Sequence, residues 1–308
     1  MRIITGWSGL AEAERGASVA MGNFDGVHRG HQTVIDAARR DDMPLGVVTF
    51  EPHPRVHFFP DRPPFRLMSR AARANRLAKI GVERLYELPF DAELASLTPR
   101  DFAAQVLAQG LGIGHVVVGA DFCFGAGRAG TAEQLHALGA ELGFEVTIAP
   151  LVGGPGGAVS SSAIRAALAE GRPRDAAAML GHWHRIDGTV EHGEKRGREL
   201  GFPTANLSLD GLHIPRYGVY AALVDVLDGP HAGSYGGAAS LGVRPQFDGE
   251  GPNLETYLFD FSGDLYGAQL SVGLVEFLRP EQRFDGVDTL IAQMDRDCDA
   301  ARRALAAL

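Results

Sequence analysis

His28 and His31 stand three residues apart in the stretch VAMGNFDGVHRGHQTVIDAARR, residues 19–40. An apolar run breaks at Gly22, an acidic turn follows at Asp25-Gly26, and an amphipathic segment starts at the histidines. The N-terminus of a helix exposes unpaired N–H groups and the positive end of the macrodipole, which suits a phosphate. Gly26 and Gly30 let backbone come close to a ligand, and two imidazoles so placed could each donate to one polyphosphate. A metal is the competing reading: Asp25 is at hand, but a tetrahedral site needs more ligands, and no HExxH or CxxC accompanies the pair.

A second cluster lies in GEKRGRELGFPTANL, residues 193–207. Gly193, Gly197 and Gly201 recur every fourth residue, interleaved with Lys195, Arg196 and Arg198. That pattern suggests a basic flap able to close over phosphates. It is no Walker A loop, since no GK[ST] follows, and by composition alone it reads as a charged hairpin. Glu255, taken alone, reads as an outward strand carboxylate. Ser160–Ser162 open a helix as N-caps often do, with Arg165 on its solvated side. Gly125-Ala-Gly127-Arg-Ala-Gly130 fits GxGxxG after a strand. No acidic residue ends a next strand about 20 positions on, so a glycine-rich turn shaping a pocket is preferred to a dinucleotide site. His182 and His184 in GHWH lack nearby companions for a metal site, and Trp183 reads as linker packing.

These residues need elements to hold them. Strand-like runs occur at 17–22, 45–50, 84–88, 115–119 and 145–150, with helical patterns at 29–40, 69–80, 99–109 and 131–142. Apolar runs separated by helices predict a parallel sheet covered on both faces. Two short helices follow at about 160–170 and 173–180; Ile164 and Leu168 share a face, and Gly171 ends the first. Near 181 the texture changes. Runs rich in β-branched and aromatic residues (218–227, 255–261, 270–278) lie between glycine-rich turns, predicting an antiparallel barrel or sandwich. Phe284, Val287, Ile291 and Met294 recur at helix spacing toward the end. The predicted domains are 1–183 and 184–308.

The 308 residues fit two domains. A net charge of −9 argues against a general nucleic-acid surface. Cys123 and Cys298 make no disulfide framework. The N-terminal residues lack a signal-peptide pattern, and no apolar run is long enough to span a bilayer. A soluble cytoplasmic protein is expected; its oligomeric state is not readable.

The residues GNFDGVHRGHQ resemble the signature of the nucleotidyltransferase superfamily, whose HxGH motif here is His28-Arg29-Gly30-His31. More narrowly they resemble the adenylyltransferase half of the bacterial bifunctional FAD synthetases. Three later stretches carry that narrower likeness: TFEPHP (49–54), similar to a flavin-side loop; VVGADFCFGAGRAG (117–130), similar to the family's central turn; and VSSSAIRAAL (159–168), similar to its ISSTxIR motif. Beyond residue 181 the chain resembles riboflavin kinase. GFPTAN is that family's most specific run and is intact here, with GVYAA (218–222) and NLETYLFDFSGDLYG (253–267) following in family order.

The resemblance covers about residues 15–305 and implies a Rossmann-like nucleotidyltransferase domain followed by an antiparallel β-barrel kinase domain with a terminal helix. It implies phosphorylation of riboflavin to FMN by MgATP, then adenylylation of FMN to FAD with release of pyrophosphate. Riboflavin, FMN and ATP are the implied partners and Mg²⁺ the implied cofactor. Glu255, His28, His31 and Arg165 take the catalytic roles. Gly22, Asn23, Phe24, Gly26, Gly30, Ser160, Ser161 and Ser162 would line one ATP site. Gly193, Lys195, Gly197, Gly201, Thr204 and Asn206 would line the other, Thr204 and Asn206 also holding Mg²⁺. Pro52, His53, Pro54, Phe58 and Asp121 would meet flavin, with Phe59 a further ring contact. Four positions depart from the pattern: Cys123 where arginine is common, Ser162 for threonine, Ser240 for asparagine and Tyr257 for histidine. Cys123, Ser240 and Tyr257 leave one surviving activity open as an alternative, and a non-catalytic flavin- or nucleotide-binding module is the other.

Overall fold

The computed structural model describes residues 1–154, 157–192, 200–246 and 249–308. They form two compact units, Met1–Pro63 with Arg70–Val159 and Pro64–Ser69 with Ser160–Leu308.

In the first unit the apolar runs become strands β1 (Arg2–Thr5), β2 (Ser18–Met21), β3 (Leu45–Glu51), β4 (Arg84–Pro89) and β5 (His115–Gly119). A small hairpin of β6 (Cys123–Phe124) and β7 (Gly130–Thr131) comes next, followed by β8 (Glu145–Ala149) and a ribbon of β9 (Gly153–Gly154) and β10 (Gly157–Ala158). The main sheet has the order β1-β4-β3-β2-β5-β8, with every pairing parallel. Between the strands run α1 (Arg29–Ala37), α2 (Pro54–Phe58), α3 (Arg70–Lys79), α4 (Ala92–Ser96), α5 (Pro99–Asp101, continuing as a π-helix over Phe102–Leu111) and α6 (Ala132–Leu142).

All four residues of β2 are buried, which is why it reads as a continuous apolar run rather than an alternating one. Val19 and Met21 point into a cluster with Phe102, Leu107, Val116 and Leu135. Ala20, Val47, Leu85 and Val117 are equally buried between them in sequence, on the opposite face. The edge strand β1 was not anticipated; only one of its four residues is buried, so it carries little apolar signal. From β2 the chain proceeds through β3 to β4 on one side, then crosses to β5 and β8 on the other. Strand order therefore reverses at β2/β5, where α/β sheets hold ligands beyond their carboxyl ends. The segments Gly22–His31 and Pro52–Phe58 and the residue Asp121 all follow carboxyl ends of these strands.

The second unit contains α7 (Ser161–Ala169), α8 (Pro173–Leu180), β11 (His184–Thr189), β12 (Thr204–Ser208), β13 (Gly218–Val226), β14 (Gly233–Gln246), β15 (Gly249–Leu258), β16 (Gln269–Arg279) and α9 (Val287–Ala306). Its sheet is antiparallel in the order β11-β16-β13-β14-β15-β12. The two edges meet at an antiparallel bridge, where the Glu191 N–H donates to the Asn206 carbonyl at 2.9 Å, as barrel closure requires. The terminal helix lies on the outside: Ala301 packs with Ala221, Phe259 and Val275, and Asp297 takes a forked pair of bonds from Arg279, the shortest 2.7 Å. Phe284 falls outside the helix, its ring 5.8 Å from the Arg279 guanidinium.

The long strand β14 escaped the sequence reading because its glycines look like turns. Gly237 sits where a Cβ would lie 2.6 Å from the Tyr257 carbonyl, and at Gly236 it would meet Leu305 of α9 at 3.0 Å. Close approach of β15 and the helix demands glycine there.

Candidate functional site

His28 is itself the cap of α1. Its backbone is extended (φ −68°, ψ 169°) and its Nδ1 accepts from the His31 N–H at 3.2 Å. Nδ1 therefore carries no proton, and the neutral ring presents its donor at Nε2. The His31 ring stacks on it, centroids 3.5 Å apart and 14° from parallel. The Phe24 ring meets His31 in a T-shaped arrangement, centroids 5.1 Å apart. Nδ1 of His31 is buried with no hydrogen-bond partner among the described residues. Burial, and then the neighbouring His28, holds His31 well below the ordinary histidine range. His31 thus rests uncharged, so the stack does not carry two repelling charges.

The turn before it is held under strain. Phe24 and Val27 have φ of 51° and 44°, and Gly26 has 88°. A β-branched residue in the left-handed region is unusual and needs surroundings that over-determine it. They do so: Val27 O accepts from Gln32 Nε2 at 2.8 Å, Asn23 O from Thr49 Oγ1 at 3.2 Å, and the Gly22 N–H donates to Val48 O at 3.1 Å. At Gly30 a Cβ would sit 3.2 Å from the His28 ring, so the glycine keeps the stack in place.

On the neighbouring strand β3, the Glu51–Pro52 peptide is cis. His53 caps α2, its Nδ1 accepting from the Arg55 N–H at 3.0 Å, and Pro54 takes the first helical position. Phe58 is 55% exposed, free to cover a ring, its centroid 5.7 Å from that of Phe90 in a T-shaped pair. Asp121 is exposed after β5, and its carbonyl accepts from Cys123 Sγ at 3.7 Å. The GxGxxG run forms the β6–β7 hairpin; a Cβ at Gly130 would meet the Phe124 ring at 2.7 Å. Gly125, whose Cβ would meet Pro99 at 2.8 Å, and Gly130 serve packing, whereas Gly127 has open space around it and a φ of 62°.

Ser160, Ser161, Ser162 and Arg165 belong to the second unit. Ser160 caps α7, its Oγ accepting from the Ala163 N–H at 3.2 Å. Arg165 Nε donates to Phe65 O at 2.6 Å and its guanidinium lies 5.2 Å from the Phe65 ring. His213 bonds the Arg165 carbonyl at 3.0 Å. His184, buried in β11, is driven down to about 3 by burial and then by His213 and His182.

In the sheet of this unit, Thr204 pairs with Tyr257 and Asn206 with Glu255 across β12 and β15. Directly opposed residues share a face, so Thr204, Asn206, Glu255 and Tyr257 form one polar patch. Ser240 of β14 pairs with Glu255 on its other side. Asn206 is buried, and its Oδ1 accepts from Asn253 Nδ2 at 3.0 Å. Tyr257 and Phe202 form a T-shaped pair with ring centroids 5.3 Å apart. Gly201 has φ 88° in the turn leading into β12. Gly193, Lys195 and Gly197 lie outside the described residues.

Among the described residues no group of three or more His, Cys, Asp or Glu is arranged to hold a metal. Thr204 and Asn206 offer hydroxyl and amide oxygens instead, the donor type Mg²⁺ prefers alongside phosphate oxygens.

Two residues were missed by sequence reasoning. Asn253 sits two positions before Glu255, so period-two alternation would have put it on the same face. Arg73 lies four residues before Leu77, a charge on the apolar stripe of α3, and both are buried.

A family model described as FAD synthetase matches residues 10–163, and one described as riboflavin kinase matches residues 180–305. Curated relatives named bifunctional riboflavin kinase/FMN adenylyltransferase include one from Pseudomonas fluorescens, 42% identical over 100% of this chain and 98% of its own length. One from Escherichia coli K12 is 39% identical over 98% and 97%, and one from Bacillus subtilis 36% over 96% and 94%. A crystal structure from Streptococcus pneumoniae, described as a macrolide-efflux protein, shares 34% identity and a TM-score of 0.84, covering 97% of this chain and 98% of its own. Among the described residues of this chain, no helix is long and apolar enough to cross a membrane.

Proposed function

This chain belongs to the bifunctional riboflavin kinase/FMN adenylyltransferase family, and from that premise we propose that it makes FAD in two steps, one in residues 184–308 and one in residues 1–183. In the first, the riboflavin 5′-hydroxyl takes the terminal phosphoryl group of ATP, giving FMN and ADP. In the second, an FMN phosphate oxygen attacks the α-phosphorus of another ATP, giving FAD and pyrophosphate.

The kinase step needs a base, because an alcohol is a weak nucleophile. Glu255 accepts the hydroxyl proton as the new O–P bond forms. Thr204 and Asn206 would hold the Mg²⁺ of MgATP, and Gly193, Lys195, Gly197 and Gly201 would contact its phosphates. When bound, the ion offsets the charge of the phosphate oxygens. The observation that carries this reading is the pairing of β12 with β15, which sets both oxygen donors beside the carboxylate.

The adenylyl step needs no base, since the FMN phosphate is already an anion. Its requirement is positioning and charge stabilisation. His28 and His31 donate to the reacting phosphates, with the N–H groups of the first turn of α1 beside them. Gly22, Asn23, Phe24, Gly26 and Gly30 shape that cradle. The likeness to the family's ISSTxIR motif gives Ser160–Ser162 and Arg165 a role in the same step. Pro52, His53, Pro54, Phe58 and Asp121 receive the flavin. ATP and flavin phosphates as substrates support a cytoplasmic setting for this work.

The test is chromatography of products from riboflavin and MgATP with the purified protein. FMN, FAD, ADP and pyrophosphate are expected. FMN without FAD would remove the adenylyl half of the reading, and flavin binding without ATP consumption would remove both.

A further inference from the structure

A buried guanidinium joins the two segments that the adenylyl site must hold together. Arg73 projects from α3 and is 4% exposed. Its Nη1 donates to the carbonyl of Asn23, in the strained turn after β2, at 3.4 Å. Its Nη2 donates to Glu51 Oε2, at the start of the flavin-side loop after β3, and to Glu87 Oε1 in β4, both at 3.0 Å. Glu87 is 1% exposed and takes Arg70 on its other oxygen at 2.7 Å. One planar fork therefore reaches three adjacent strands near their carboxyl ends.

Burying such charges is expensive, and well-packed apolar side chains often stabilise as well or better. Apolar groups could not bond a carbonyl on one segment and a carboxylate on the next, nor could the single ammonium of lysine span both. Thr49 of β3 bonds the same Asn23 carbonyl, so the turn is tied at one atom from two elements. We propose that Arg73 is a positioning residue for adenylyl transfer, fixing the distance between the His28–His31 turn, which grips ATP, and the Glu51–Phe58 loop, which receives FMN. This rests on the site assignment above. Attack on the α-phosphorus needs the two substrates aligned to a fraction of an ångström, and a displacement of about 1 Å costs on the order of 10²-fold in rate.

The experiment compares Arg73→Lys, Glu51→Gln and His31→Ala with the unaltered chain. Both half-reactions are assayed at a temperature where circular dichroism shows each variant folded. Arg73→Lys lowers kcat for FAD formation from FMN roughly 10- to 100-fold while KM for each substrate moves less, about threefold, as expected for misalignment rather than lost contacts. Riboflavin phosphorylation keeps its kcat and KM. Glu51→Gln, which keeps the shape and removes the charge, lowers the same kcat about tenfold. A purely structural Arg73 would shift only the melting temperature; adenylyl kcat within twofold of the unaltered chain would overturn the proposal. If Arg73→Lys does not fold, Glu51→Gln decides by the same criterion. His31→Ala separates the two levels: full FAD synthesis in that variant sinks the site assignment, whereas its loss beside an unaffected Arg73→Lys sinks only this proposal.

Discussion

Asn206 and Glu255 stand directly opposite each other in the antiparallel pair of β12 and β15, an amide that can ligate an ion beside a carboxylate that can accept a proton. Neither residue has meaning for catalysis alone; the strand register gives it to them. Glu255→Gln keeps the strand pair and removes the base. FMN formation is expected to fall about 10²- to 10⁴-fold, the range for a positioned general base. FAD formation from supplied FMN should stay close to that of the unaltered chain, since its candidate histidines lie in the other unit. Equal loss of both activities in a folded variant would count against separate sites.

Asn253 offers a finer test of the same patch. Its Nδ2 donates to Asn206 Oδ1, which fixes the oxygen's direction. Asn253→Asp turns that donor into an acceptor and sets charge against the amide oxygen. KM for MgATP in the kinase step should rise about tenfold, matching a lost bond and repulsion of roughly 1–2 kcal/mol together. The half-saturating Mg²⁺ concentration should rise with it. Unchanged Mg²⁺ dependence would show that the Asn206 oxygen is not oriented through this bond.

The parallel sheet was legible because its central strands are apolar on both faces, and α7 because Ile164 and Leu168 stand four residues apart and share a face. The strand, turn and helix that carry His28 and His31 were legible in the residues themselves, since they are contiguous in sequence. What escaped reading depends on long-range register. β14 hides behind glycines that exist for the approach of β15 and α9. Arg73 reaches Asn23 across 50 positions of chain, and no local pattern announces such a partner. Asn206 and Glu255 were each named singly, but their opposition needed the hairpin order of the barrel.

His184 makes a prediction about acid. Its pKa in the folded chain is about 3, with burial the main cause and His213 and His182 adding to it. The unfolded chain would bind that proton near 6.5, so between those values unfolding takes up a proton. Stability from this group is complete above about pH 6.5 and is lost as pH falls towards 3. Between pH 7.5 and pH 5 the loss is on the order of 2 kcal/mol. Urea midpoints followed by Trp183 fluorescence, with Trp7 replaced by phenylalanine, should fall over that interval. His184→Asn should have a lower midpoint at pH 7.5 but a shallower slope, by about one proton. A slope equal to that of the unaltered chain would assign the acid sensitivity to other groups.

Gly30 gives the most local test of the imidazole stack. The His28 ring lies 3.2 Å from where a Cβ would stand, closer than side chains ordinarily pack, and His28 also caps α1 through Nδ1. Gly30→Ala adds a good helix former, which offsets the capping bond that a displaced His28 ring gives up. The methyl presses the His28 ring away from His31 and rotates its Nε2 donor. FAD synthesis should drop about tenfold. That is less than the 10²- to 10³-fold expected for His31→Ala, which removes a transition-state donor outright. Riboflavin phosphorylation should be untouched and the melting temperature equal or slightly higher. A more stable variant with undiminished FAD synthesis would mean that the ring geometry at the helix mouth is tolerant, and that phosphate is gripped by backbone N–H groups rather than by the imidazoles.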